Sequence, residues 1–72
     1  MPTFPERLKE LRIKTNSKQT DIAEMLGVQP RAIRFYESGD REPSIEFINK
    51  LADYFNVSTD YLLGRSNDPT RR

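Results

Sequence analysis

The sequence predicts an all-α domain of five short helices, and three observations carry that expectation. Apolar residues recur at three- and four-residue intervals, and no segment sustains the period-two alternation of a half-buried strand. Gly27, Gly39 and Gly64 each stand where such an apolar stretch stops, which is where a helix is closed most cheaply by a residue without Cβ. Helix-starting residues, Pro30, Ser44 and Ser58, open the third, fourth and fifth stretches.

Taken in order, the first helix is expected from about Phe4 to Thr15, with Phe4, Leu8 and Leu11 on one face. Thr3-x-x-Glu6 offers it a capping box, and Pro5 lies in its first turn. The second helix opens at Gln19 and carries Ile22, Ala23 and Leu26. Gly27 ends it, and Pro30 places the next helix start only three residues later. Two helices on so short a connection cross steeply, so residues 19–37 read as a helix-turn-helix unit. Gly39 closes the third helix. The fourth follows Ser44 and bears Ile45, Ile48, Leu51, Ala52 and Phe55; the fifth is a short helix capped by Ser58 and ended by Gly64. Residues 1–64 thus form the domain. Residues 65–72, RSNDPTRR, have turn formers and no apolar anchor, and read as a flexible tail or the start of a linker.

Composition narrows the function. At 72 residues, 35% hydrophobic and 32% charged, the chain is bounded to one small domain with a modest core. It has no Cys and no His, so a disulfide framework, a thiolate and the commonest metal ligand are all missing. Neither a metal nor a cofactor is expected. No apolar run approaches the roughly 20 residues of a membrane span, and the N-terminus lacks a signal-peptide core. A soluble cytoplasmic protein is the expectation. Carboxylates such as Asp21, Glu24 and Asp53 occupy solvated helix positions with no nucleophile or phosphate loop beside them, so an enzyme is not expected.

The net charge is only +1, but it is unevenly spread. From Arg7 to Arg41 eight basic residues stand against five acidic, whereas from Glu42 to Gly64 Lys50 stands against four acidic residues. Such polarity orients a domain on a polyanion.

On a wheel at about 100° per residue, the third helix divides cleanly. Ile33 and Tyr36 face inward, while Arg31, Arg34, Phe35 and Ser38 face out. Guanidinium groups fork onto O6 and N7 of guanine, and an apolar ring can touch a thymine methyl, so this outward stripe suits a DNA major groove. Pro30 and Arg31 lie in the first turn, the part of such a helix that points at base edges. Pro30 has no donor and supplies shape only. Lys18 and Gln19, at the opening of the second helix, are placed for phosphate contact. Ser38, and Arg41 in the loop beyond Gly39, are further phosphate candidates, though Asp40 and Glu42 flank Arg41. Glu37 falls on the inward side, where a lone carboxylate is costly. Arg12 occupies the matching position on the first helix, so a partly buried Arg12–Glu37 ion pair is expected. Phe47 and Tyr54 share a second face of the fourth helix. They form either a dimer surface, together with Tyr61 and Leu62, or an internal contact with the fifth helix or the tail.

Leu11-Arg12, Gln19 to Ala23, Leu26-Gly27-Val28, Ile33, Tyr36-Glu37-x-Gly39, Pro43-Ser44, Leu51-Ala52, Val57-Ser58 and Asp60 to Gly64 together resemble the phage repressor and Cro-type helix-turn-helix family. The resemblance covers about residues 4 to 64. It implies a five-helix, repressor-like DNA-binding domain, bacterial or phage in origin, that acts as a homodimer on palindromic operators in double-stranded DNA. It also implies phosphate contact at Gln19 and base contact from Pro30, Arg31 and Phe35, with Arg34 nearby, and maps a family Arg–Glu pair onto Arg12 and Glu37. This chain departs from the family at Lys18 and Gln29, where Ser is frequent, and in the acidic residues around Arg41. A protein-binding module of the same fold, such as an antitoxin that neutralises a partner and represses its own operon, is the alternative function.

Overall fold

One leucine or isoleucine from each helix meets at the centre of the domain: Leu8, Ile22, Ile33, Leu51 and Leu62, all fully buried. The computed structural model describes residues 2–71, which contain α1 (Phe4–Lys14), α2 (Gln19–Leu26), α3 (Pro30–Ser38), α4 (Ile45–Phe55) and α5 (Thr59–Leu62). The described residues include no strand. α3 packs against both α1 and α2, and α5 packs against α1 and α4, so α1 bridges the two groups.

The helix ends follow local chemistry. Gly27 adopts φ +73°, and the N–H groups of Gly27 and Val28 return to the carbonyls of Glu24 and Ala23. No atom lies within 4 Å of where a Cβ would stand on Gly27, so glycine is required there by the backbone angle and not by space. Ser44 and Ser58 cap α4 and α5 by accepting from the N–H groups of Phe47 and Tyr61, at 3.2 and 3.0 Å. At α2, Lys18 has no capping oxygen, and Asp21 serves instead by accepting from the Lys18 backbone N–H at 2.8 Å. The expected capping box at α1 does not form. The Thr3 hydroxyl donates to the Glu6 carboxylate at 3.0 Å, so the two side chains satisfy each other and not the backbone.

Four further expectations need correcting. Ile45 is 82% exposed, because at the first position of α4 no other element lies over it. Leu62 is fully buried and Tyr61 nearly so, since α5 lays both against the core, and neither can belong to an exposed dimer surface. Phe47 is half-buried with its ring edge-on to Tyr36, and Tyr54 stacks edge-on to Phe55 and shares a hydrogen bond with Ser17; these ring and hydrogen-bond contacts are with α3, α4 and the α1–α2 turn. The residues after Gly64, expected to run free, hydrogen-bond back: the Ser58 N–H donates to the Pro69 carbonyl at 3.0 Å, and Arg71 pairs with Asp53.

Arg7, one of the eight basic residues between Arg7 and Arg41, is 3% exposed. Its guanidinium lies 3.8 Å from the centre of the Tyr61 ring and donates to the Asn67 side-chain carbonyl at 3.3 Å. Its Nε has no partner among the described residues. The aromatic face, not a carboxylate, is what makes this cation tolerable inside. Arg7 stands four residues before Leu11, on the core stripe, and that spacing was the available signal.

Candidate nucleic-acid interface

The inward side of α3 is tied down by both apolar and polar contacts. Ala32, Ile33 and Tyr36 are buried in the core. Beside them, Glu37 takes a fork from Arg12, with Nε to Oε2 at 2.5 Å and Nη2 to Oε1 at 3.1 Å. The side chains of this pair are 18% and 7% exposed, so the pair is partly buried as the wheel required. The Gln19 amide adds a third donor to Glu37 Oε1 at 3.3 Å, and Arg12 also reaches the Ser17 carbonyl at 3.4 Å. One carboxylate therefore joins α1, α2 and α3, and its partner Arg12 extends the link to the α1–α2 turn. Its hydrogen bond and its charge raise the Arg12 guanidinium above its ordinary, already high, pKa, against the opposing effect of burial.

The outward side is different. Arg31 and Arg34 are exposed, and neither has a hydrogen bond or ion pair among the described residues. Arg34 lies 5.6 Å from the centre of the Phe35 ring, and Arg41 comes from the loop to within 5.3 Å of it. Phe35 is thus half-buried between two guanidiniums, which hold it at the edge of the surface. Val28, Gln29, Arg31, Phe35 and Arg41 border a shallow hollow of about 380 Å³ on this face. The outward stripe of α3 does not predict Val28 and Gln29 on this face; their position in the hinge before α3 does. Pro30 and Lys18 are exposed, and Gln19 is half-buried.

The sequence places Ser38 among these residues, but its hydroxyl is already engaged. It lies 3.1 Å from the Phe35 carbonyl and 2.8 Å from Asp40 Oδ2, both acceptors. This contact draws Asp40 toward the end of α3, so Asp40 does not pair with Arg41.

The order of helices, the left-handed turn at Gly27 and the exposed arginine face on the second helix of the pair define a helix-turn-helix. Residues 8–62 match the family model described as helix-turn-helix. The chain belongs to the XRE-type helix-turn-helix family, that of phage and bacterial repressors. Among its relatives, the HTH-type transcriptional regulator AnsR of Bacillus subtilis (strain 168) is 45% identical over 60 residues, which cover 83% of this chain and 52% of that protein. A transcriptional regulator from Listeria innocua superposes with a TM-score of 0.84 at 42% identity, over 86% of this chain and 58% of the other. The P22 c2 repressor, solved in complex with a synthetic operator, superposes with a TM-score of 0.83 at 30% identity, over 92% of this chain and 100% of that one. The chain spans about half the length of AnsR, so the family domain is what the two share.

Proposed function

We propose that this helix-turn-helix domain is a transcriptional regulator, acting as a repressor, that binds a palindromic operator in double-stranded DNA as a dimer. α3 enters the major groove. One observation carries the reading: Arg31 and Arg34 are exposed and uncommitted on a helix whose opposite side is fixed by Ile33, Tyr36 and Glu37. A face built only to be soluble has no need of so rigid a mount. Arg31 forks onto a guanine edge with Arg34 beside it, Phe35 offers its ring edge to a thymine methyl, and Pro30 shapes the approach. Lys18, Gln19 and Arg41 hold phosphates and set the register. Ser38 falls outside this set because its one hydroxyl proton is used within the chain. The likeness to a repressor solved on an operator supports the same assignment.

Selection of bound duplexes from a random pool, run with wild type and Arg31→Ala, tests it. A palindromic preference is expected for wild type, relaxed at one position of each half-site in the variant. An unchanged preference removes Arg31 as a reader, and no enrichment by either protein removes the DNA function.

A further inference from the structure

Arg41 lies outside α3, yet α3 decides where it goes. The Phe35 carbonyl accepts from the backbone N–H groups of Asp40 at 3.0 Å and Arg41 at 3.3 Å, and from the Ser38 hydroxyl at 3.1 Å. Gly39, at φ +84°, makes the reversal that lets the loop close back on that carbonyl. The start of the loop is therefore wound onto the residue whose ring it faces, with the Arg41 guanidinium 5.3 Å from the Phe35 ring centre. Asp40 and Glu42 flank this cation in the chain, but neither carboxylate takes it. Asp40 accepts from Ser38 at 2.8 Å, and Glu42 is exposed with no ion pair among the described residues. The side-chain N–H groups of Arg41 make no hydrogen bond among the described residues either. Its charge is met by a ring and by no carboxylate.

Resting on the DNA-binding reading above, we propose that Arg41 is a positioning residue for base recognition. It holds the Phe35 ring in its reading pose, and so sets preference at a base that it does not itself touch. Phe35 stands on the border of the exposed side of α3, where a phenyl ring has more than one staggered orientation open to it. Arg34, 5.6 Å from the ring centre, is its neighbour on the same helix and moves with it. Arg41 approaches from a separate segment, so the two guanidiniums limit the ring from different directions. Attraction to a ring uses the charge of a guanidinium and leaves its N–H fork free. One side chain can therefore hold a phosphate and the ring together. Backbone binding and base reading are then coupled through Arg41, whereas a cation serving phosphate alone weakens all sequences alike when removed. The strength of an exposed cation–π contact corresponds to roughly two- to five-fold, which sets the loss of discrimination to expect.

Binding-site selection, with affinities then measured across a salt series, is run on wild type, Arg41→Gln, Arg41→Lys, Phe35→Leu and the Arg41→Gln/Phe35→Leu double variant. Arg41 is exposed, and thermal unfolding checks that each variant folds. Phe35→Leu is expected to flatten preference at the bases the ring meets. Arg41→Gln should flatten the same positions by roughly two- to five-fold, and the double variant should go no further there than Phe35→Leu alone. Arg41→Lys should fall between wild type and Arg41→Gln, because an ammonium keeps the charge without the planar face. If Arg41→Gln lowers affinity evenly on all sequences, with the salt slope reduced by about one and base preference intact, Arg41 is a phosphate contact only and the proposal is overturned. Losses that simply add in the double variant overturn it too, as does unchanged preference in Phe35→Leu. In each of those cases enrichment by wild type keeps the DNA reading. A wild type that enriches no duplex defeats that reading itself, and the positioning role falls with it.

Discussion

Within α3, the outward side chains up to Arg34 and the side chains from Phe35 onward differ in how they are held. The side chains of Pro30, Arg31 and Arg34 are exposed and make no hydrogen bond among the described residues. Phe35 is held between Arg34 and Arg41, Glu37 is gripped by Arg12 and Gln19, and Ser38 is tied to Asp40. Both halves belong to one rigid helix. Fixing the C-terminal half therefore fixes the direction of the N-terminal half, and on the proposed reading the side chains left unpaired there meet a groove without first breaking internal bonds. A recognition surface needs both halves, because an unclamped helix would pay for its ordering on binding.

The comparison can be broken most easily at the clamp. Arg12→Ala leaves the Glu37 carboxylate buried without its charge partner, which costs on the order of 3 kcal/mol. Thermal unfolding should show Tm lowered by roughly 10 °C or more. An unchanged Tm would mean that the pair holds nothing. The sign of the pH dependence follows from the raised Arg12 pKa. A raised folded-state value adds stability at every pH below the ordinary one, lost only as pH climbs through the raised value in strong alkali. Titration of Arg12 therefore adds no slope to stability between about pH 5 and 9.

Arg31→Ala should do the reverse, costing roughly 1–3 kcal/mol of discrimination at one base position while stability stays within about 0.5 kcal/mol. A large fall in Tm would show that Arg31 belongs to the clamp after all. Lys18→Ala is expected to weaken binding uniformly across sequences and to reduce the salt slope by about one; a changed base preference in a binding-site selection would count against its phosphate role. Ser38→Ala is expected to have the smallest effect, within about 0.5 kcal/mol in stability and with no change in salt slope. A drop in that slope by about one would return Ser38 to the phosphate set.

Legibility in the sequence followed the same division. The phase of α3 could be read from residues three and four apart, so Ile33 and Tyr36 inward and Arg31 and Arg34 outward agree with the fold. Glu37 was legible because an inward carboxylate demands a cation, and Arg12 was the one placed to supply it. Gln19 on that same carboxylate was not legible, since it depends on how α2 crosses α3. Ile45 and Leu62 exchanged their expected environments for a similar reason. Both are apolar at helical spacing, but only the path of the chain decides which one ends beneath another element.

By itself, then, the sequence determined the five helices, the turn at Gly27, the outward arginines and the need for an Arg12–Glu37 pair. Each of these is set by backbone angle, residue spacing or charge balance within a few neighbours. Tertiary structure alone decided that Arg7 lies under Tyr61, that Tyr61 and Leu62 belong to the interior, and that Ile45 borders an open hollow. Those outcomes depend on residues distant along the chain meeting in space. A cation that stacks on a ring leaves no mark in the local pattern that distinguishes it from one in solvent.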